Sequence, residues 1–179
     1  QYLAFLDDDC VPSSEWLKGL AERTARGDRC AVGGRTVNLL SDNPYAATSQ
    51  MMVDYLYGVM NERPEKARFL ATNNLAVPRD RFMAMGGFDP CFTHAAGEDR
   101  DFCRRWVQYG YPMVYVPEAV VFHAHDLRFA DYLRQHFTYG KGAFRYHWGG
   151  RQGRLRGLGP LAYYWNLAIF PLCQRGTPG

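Results

Sequence analysis

Short apolar runs alternate with amphipathic segments along most of this chain. The runs end at polar or turn-forming residues, as β-strands do, and they lie at residues 2–6, 30–40, 69–77, 113–116 and 119–122. The first run is continuously apolar, which predicts a buried strand of a parallel sheet.

The segments between the runs have the residue spacing of helices. Ser13 is predicted to cap one helix. Asn43 followed by Pro44 predicts the cap and first residue of a second helix, which ends near Met60. Further helices are predicted at residues 98–109 and 127–147. Strands that alternate with helices predict an α/β fold.

The composition is that of a globular domain, since 47% of the 179 residues are hydrophobic and 22% are charged. The net charge of +3 is too small to indicate a nucleic-acid partner. The five cysteines form no C-x-x-C pair, so we expect free thiols in a reducing compartment. Because Gln1 leads directly into an apolar run, we expect the chain to be a fragment of a longer protein.

Three adjacent carboxylates, Asp7, Asp8 and Asp9, follow the first predicted strand. Side chains alternate along an extended chain, so Asp7 and Asp9 are predicted to point to the same side. Ligands of open α/β sheets bind at the carboxyl ends of strands, and oxygen ligands there suit Mg²⁺ or Mn²⁺. The alternative is a solvated acidic turn that caps the next helix.

The helix predicted to begin at Glu98 has a carboxylate on its apolar side. Asp99 lies seven residues before Trp106, which places it on the core-facing side, with Glu98 and Asp101 on the flanks. Burial raises a carboxyl pKa and a helix N-terminus lowers it. The balance favours a carboxylate that is ionised yet able to accept a proton. The alternative is an acidic cluster that only complements the helix dipole.

Two polar pairs lie in or beside predicted strands. His123 and His125 follow the last strand with a spacing of two, and one of them is a candidate third metal ligand. The alternative is a pair of ordinary hydrogen-bonded histidines. Asn73 and Asn74 lie within the predicted strand 69–77, where unbonded amides are costly. They are candidates to bind a sugar hydroxyl or a phosphate, or to bridge loops within the protein.

The last third of the chain is basic and aromatic, and a largely apolar run follows at residues 158–172. That run contains two prolines and is shorter than the roughly 20 apolar residues that span a bilayer. We expect residues 128–172 to contact a membrane surface, with the basic residues facing anionic lipids. A packed pair of amphipathic helices is the alternative.

Taken in order, these motifs resemble the inverting family-2 glycosyltransferases over residues 1–125. The segments that resemble the family are the D-x-D strand end at 5–12, the acceptor-side segment at 73–77 and 86–89, the E-D catalytic motif at 97–102, and the strand and histidine at 120–123.

The resemblance implies a GT-A fold, in which helices flank a mixed sheet. Residues 1–125 would form its catalytic and acceptor half and residues 126–179 a helical extension, without the family's N-terminal nucleotide-binding strands. The implied activity is transfer of a sugar from a nucleotide-diphosphate donor to an acceptor hydroxyl with inversion, assisted by Mn²⁺ or Mg²⁺. The acceptor would be a carbohydrate or a lipid-linked molecule, and the location the cytoplasmic face of the cell membrane.

The resemblance also assigns roles to particular residues. Asp99 would be the catalytic base. The metal ligands would be Asp7, Asp9, His123 and His125. The contacts to the sugar nucleotide would be Asp7, Asp8, Asn73, Asn74 and Glu98.

One departure from the family and two rival interpretations remain. The Q-x-x-R-W motif of processive synthases is absent, because the helix has Cys103-Arg104-Arg105-Trp106 instead, and this disfavours a polymerising enzyme. One rival is a non-catalytic membrane-surface module that keeps the fold. The other is a metal-dependent phosphohydrolase, which would need more ligands around two ions.

Overall fold

The computed structural model describes residues 1–93 and 96–148. In this part of the chain the strands are β1 (Tyr2–Leu6), β2 (Cys10–Pro12), β3 (Ala31–Asn38), β4 (Asn74–Pro78) and β5 (Met113–His123). The α-helices are α1 (Trp16–Thr24), α2 (Pro44–Met60), α3 (Arg79–Ala84), α4 (Glu98–Gln108) and α5 (Phe129–Trp148), and Pro64–Lys66 form a 3-10 helix. The predicted apolar run at 158–172 lies outside the described residues.

The strands form one mixed sheet in the order β1-β4-β3-β5-β2. β3 and β5 are parallel and the other neighbours are antiparallel, which confirms the expected mixed α/β sheet. The parallel, fully buried strand predicted at residues 2–6 is wrong, because β1 pairs antiparallel with β4 and has no fully buried residue. Leu3 and Phe5 of this strand are partly buried against the core, and Phe5 contacts Phe82 and Phe88 at ring distances of 5.4 Å.

β5 is one continuous strand, although its sequence predicts two short ones. The register of β5 against β3 shifts between Gly34 and Arg35, so residues 117–119 form a bulge on β5. A Cβ atom at Gly34 would overlap the carbonyl oxygen of Ala119, and only glycine permits this approach. The bulge therefore absorbs the break in apolar pattern without ending the strand.

β4 is shorter than the strand predicted at residues 69–77. Side chains rather than strand pairing hold the residues before it. The amide of Asn61 donates to the carbonyl oxygen of Phe69 at 2.8 Å, and the hydroxyl of Tyr57 accepts from the backbone N–H of Ala71 at 2.8 Å. These bonds satisfy backbone groups that a longer strand would have paired.

One predicted helix cap is confirmed and the other is wrong. The Asn43 side chain accepts from the backbone N–H groups of Tyr45 and Ala46 at 3.0 and 3.1 Å, as predicted. Ser13 is not the residue that caps α1. Its carbonyl oxygen accepts from the N–H of Trp16 at 3.1 Å, because the chain before the helix forms the unpredicted strand β2.

Alternate residues of the central strands face two separate cores. Leu75 and Val77 of β4 pack with Trp106 of α4 on one face of the sheet. Ala76, between them, packs with Leu20 of α1 on the other face. Helices thus cover both faces, and no helix among the described residues has an apolar stretch long enough to cross a membrane.

Candidate active site

The short strand β2 brings Asp9 to the end of β5. Cys10 of β2 pairs with His123, and the backbone N–H of Ala124 donates to the carbonyl oxygen of Asp9 at 2.9 Å. The Asp9 carboxylate oxygen Oδ2 therefore lies 3.0 Å from His123 Nε2. The expected proximity of Asp9 and a histidine is confirmed. It arises from the pairing of β2 with β5, since β1 and β5 are not neighbours.

His125 completes a group of three potential metal ligands. One ligand atom from each of Asp9, His123 and His125 lies within 4.8 Å of the others, and all three residues are half-buried. Burial, and then the neighbouring His123, lower the pKa of His125, so its ring is neutral at pH 7 and keeps a lone pair. One carboxylate and two imidazoles fit a divalent transition ion such as Mn²⁺ more closely than Mg²⁺, whose ligands are oxygen atoms.

Asp7 and Asp8 lie beside this group without joining it. The prediction that Asp7 and Asp9 point to the same side required an extended chain, but the carboxylate triplet is not extended. Asp8 and Asp9 form a turn, which the backbone N–H of Cys10 closes by donating to the Asp7 carbonyl oxygen at 3.1 Å. Partial burial and repulsion from Asp9 raise the pKa of Asp7. That Asp7 binds the metal, and that Asp7 and Asp8 contact the donor, remain predictions.

The N-terminus of α4 presents two further carboxylates. Gly97 precedes the helix with φ of 89°, and Asp99 is half-buried. Burial, followed by repulsion from Glu98, raises the pKa of Asp99 to about 6. Burial also raises the pKa of Glu98, and the charge of Asp7 contributes to that rise. The N-terminus of α4 is therefore close enough to the turn at residues 7–9, the aspartate turn, for their charges to interact. Glu98 Oε2 is buried without a hydrogen-bond partner in the described structure.

Asp101 is more deeply buried than its predicted flank position indicates. Its two carboxylate oxygens accept from Arg104 and Arg105, each at 2.6 Å. Arg105 also donates to the carbonyl oxygen of Gly87 at 2.9 Å, so the loop after α3 covers this flank of α4. Asp101 thus serves the packing of α4, whereas Asp99 has no arginine partner among the described hydrogen bonds.

The asparagine pair divides into two different environments. Asn74 is fully buried, and its Oδ1 accepts from Trp16 Nε1 at 2.9 Å. Its Nδ2 donates to the carbonyl oxygens of Ala119 and Arg35 at 2.8 and 3.1 Å, which favours the structural alternative for this residue. Asn73 is half-buried and accepts from Thr36 Oγ1 at 3.1 Å, and a contact from Asn73 to the donor remains a prediction.

Helix α5 contributes side chains that the sequence reasoning missed. Gln135 Nε2 lies 3.5 Å from His125 Nδ1. Burial, together with the charges of Asp99, Glu98 and the aspartate turn, raises the pKa of Tyr139 to about 12. A Cβ atom at Gly142 would overlap the backbone of Ala96, so α5 lies against the segment that leads into α4. Gln135 and Tyr139 are one helical turn apart, and this spacing is the signal in the sequence that indicates that both side chains lie on the same face of α5.

Comparisons with known proteins identify the family and the fold of this chain. Residues 2–175 match the profile of the glycosyl transferase family group 2. Pre-mycofactocin glycosyltransferases from two strains of Mycobacterium tuberculosis are 28% identical over 147 residues, which cover 79% of this chain and 31% of each relative. The chain thus spans about a third of the length of the curated relatives that it matches.

Two solved structures share the fold. The mannosyltransferase PcManGT from Pyrobaculum calidifontis, in complex with GDP-Man and Mn²⁺, aligns with a TM-score of 0.58 and 15% identity over 99% of this chain and 51% of its own. GalNAc-T7, crystallised with UDP, GalNAc and Mn²⁺, aligns with a TM-score of 0.53 and 13% identity over 93% of this chain and 38% of its own. The expected GT-A fold is confirmed, and the chain belongs to the glycosyl transferase family group 2.

Proposed function

We propose that this chain forms the catalytic part of an enzyme that transfers a sugar from a nucleoside-diphosphate donor to an acceptor hydroxyl, with a divalent metal and with inversion. The observation that carries the proposal is the juxtaposition of two groups. The potential metal ligands Asp9, His123 and His125 lie together and form the ligand group. The carboxylates of the aspartate turn interact electrostatically with the N-terminus of α4, where Asp99 lies.

The ligand group is suited to hold Mn²⁺, or less favourably Mg²⁺, against the donor diphosphate. Such an ion would offset the negative charge that grows on the leaving group. Asp9 supplies the anionic ligand, and the lowered pKa of His125 keeps that ring unprotonated near pH 7. The Mn²⁺ complexes of PcManGT with GDP-Man and of GalNAc-T7 with UDP support a metal and a sugar nucleotide here. Asp7, Asp8 and Glu98 are the proposed donor-side carboxylates.

Asp99 is the proposed general base. A pKa of about 6 leaves the carboxylate ionised at pH 7, yet places it close enough to neutrality to accept a proton from an acceptor hydroxyl. Attack of that oxygen on the anomeric carbon, opposite to the departing diphosphate, gives inversion in one displacement. The acceptor is a carbohydrate or a lipid-linked molecule in this proposal.

The outer side of α5 supports contact with a membrane surface. Phe129, Leu133 and Phe137 lie one turn apart and are 58%, 51% and 71% exposed. Arg134 and Lys141 lie beside them and suit anionic headgroups. We infer a location at the inner face of the cell membrane. Co-sedimentation with lipid vesicles checks this location. We expect the protein to bind anionic but not neutral vesicles, and Phe137→Ser to bind the anionic vesicles more weakly. Equal binding to both kinds of vesicle contradicts the inferred location.

The two rival functions receive less support. Within residues 1–93 and 96–148, one group of three potential ligands comes together, and this does not favour the two-ion centre of a phosphohydrolase. A non-catalytic module would have no need for a carboxylate whose pKa is raised to about 6, or for a group of three potential metal ligands.

Turnover of a panel of nucleotide sugars by the full-length protein tests the proposal. We expect one donor to be consumed with Mn²⁺, consumption to stop with a chelator, and proton NMR to give an inverted anomeric centre in the product. Turnover that is unaffected by the chelator, or a retained configuration, contradicts the proposed mechanism.

A further inference from the structure

A chain of polar contacts leads from the ligand group into helices α2 and α5. Gln135 Nε2 lies 3.5 Å from His125 Nδ1, and Gln135 Oε1 lies 3.4 Å from Ser49 Oγ. Ser49 Oγ in turn lies 3.4 Å from His136 Nε2. His125 follows β5 and lies outside any helix, whereas its partner Gln135 belongs to a helix that packs on both α2 and α4. A helix that is packed against two others therefore contacts the ring of a candidate metal ligand.

The proton on the His125 ring decides whether this residue can hold a cation. A neutral imidazole carries one proton, and only the other ring nitrogen offers a lone pair. Gln135 faces Nδ1, so Nε2 is the nitrogen left for an ion. For Nε2 to be free of a proton, Nδ1 must carry it and must donate to an acceptor. The amide atom of Gln135 that faces His125 must then be oxygen.

The amide of Gln135 satisfies this condition when its oxygen and nitrogen exchange places, which leaves the heavy-atom shape unchanged. His125 Nδ1–H then donates to Gln135 Oε1, and the Gln135 amide N–H donates to Ser49 Oγ. The Ser49 hydroxyl donates onward to His136 Nε2, and burial lowers the pKa of His136, so this ring is neutral and can accept. Each of the three contacts gains one donor and one acceptor.

The opposite orientation of the amide conflicts with metal binding. Gln135 would donate its N–H to Nδ1 of His125, so the single ring proton would lie on Nε2. That nitrogen could then not coordinate a cation without losing its proton. The direction of this hydrogen-bond chain is therefore coupled to the presence of the ion.

We propose that Gln135 is a positioning residue that holds His125 in the tautomer with Nε2 free for the metal ion, and that Ser49 and His136 fix the orientation of the Gln135 amide. This inference rests on the proposed metal site and deepens it. Helix α5 thereby stabilises the metal site without supplying a ligand of its own. Partners of this kind typically change metal affinity by about 10- to 100-fold when they are lost.

Calorimetry of Mn²⁺ binding to the full-length protein tests the inference and needs no acceptor. It is carried out under three conditions: with Mn²⁺ alone, with UDP present and with GDP present. Gln135→Met keeps the side-chain length and removes the hydrogen bond, and we expect Mn²⁺ to bind about 10-fold more weakly. Gln135→Glu supplies a carboxylate that accepts the Nδ1–H more strongly, so we expect affinity equal to or tighter than wild type. Thr138→Ala is the matched control and should bind as wild type does, because Thr138 is a half-buried position of α5 whose hydroxyl donates to the Arg134 carbonyl oxygen of the same helix.

The outcomes separate the inference from the proposed function. Wild-type affinity in Gln135→Met overturns the positioning role while the metal site stands. Equal losses in Gln135→Met and Gln135→Glu also overturn it, because they indicate a packing role alone. If the wild-type protein binds no Mn²⁺ under any of the three conditions, the proposed metal site itself fails and the positioning role fails with it. Melting temperatures of all variants identify any that do not fold, and the remaining Gln135 variant then decides by its affinity relative to Thr138→Ala.

Discussion

Replacing Asp99 with asparagine distinguishes a general base from a residue that only stabilises α4. Asparagine keeps the shape and can still accept the 2.6 Å hydrogen bond from the Arg100 backbone N–H, but it cannot take a proton. We expect turnover to fall by roughly 10²- to 10⁴-fold. Donor affinity should change little, because the ligand group around Asp9 is not altered.

The same variant is expected to be more stable than the wild-type protein at pH 7. Burial raises the pKa of Asp99 from 3.8 to about 6, so the folded state binds the proton more tightly than the unfolded state. Wild-type stability therefore falls as the pH rises from about 4 to about 6. One pKa unit corresponds to about 1.4 kcal/mol, which gives at most about 3 kcal/mol of destabilisation at pH 7 that asparagine removes.

The prediction is checked with the variants Asp99→Asn and Glu98→Gln. For each variant, turnover and donor affinity are measured, together with thermal melting at pH 4 and pH 7. Glu98 is the matched comparison, because burial raises its pKa as well. A normal rate with a loss of about 0.3–1 kcal/mol in Asp99→Asn would leave Asp99 as a helix-dipole residue. A normal rate in Asp99→Asn and a large loss in Glu98→Gln would move the base by one residue.

Three further predictions concern stability and metal use. Asp101→Asn should lower the free energy of unfolding by about 3 kcal/mol, because it leaves two arginines without their buried partner, and unchanged denaturant midpoints would contradict this. Gly34→Ala should cost about 2–3 kcal/mol through overlap with the β5 bulge, whereas Gly58→Ala, with open space around it in α2, should be neutral or stabilising. Equal melting temperatures for the two glycine variants would refute the close approach. Asp9→Asn should raise the Mn²⁺ concentration needed for half-maximal turnover, and wild-type activity at limiting metal would instead make the triplet a solvated acidic turn without a metal.

Patterns that depend on local spacing could be predicted from the sequence. The Asn43 cap depends on adjacent residues, and the structure places its hydrogen bonds as expected. The apolar side of α4 also follows from helical periodicity, so the burial behind the raised pKa of Asp99 could be anticipated. Long-range pairing could not be, because an apolar run such as β1 has the same pattern at a sheet edge as in its centre.

The site contains the clearest example of that limit. Asp9 and His123 were expected to meet because each follows a strand, yet the contact depends on β2, whose three residues give no periodic signal. Gln135 is similar, since its contact with His125 requires α5 to fold back over the end of β5. Asp101 was placed on a flank because helical phase does not reveal a loop that covers that flank.

The proposed metal-dependent site is tested most directly by nucleotide binding with and without Mn²⁺. The wild-type full-length protein is compared with His123→Ala. His123 Nε2 lies 3.0 Å from the Asp9 carboxylate and is not part of the proposed base, so its loss should affect the ion alone. We predict that Mn²⁺ tightens the binding of UDP or GDP at least tenfold in the wild-type protein, with little or no tightening in His123→Ala. Equal enhancement by Mn²⁺ in both proteins, or no enhancement in either, would contradict the assignment of this site.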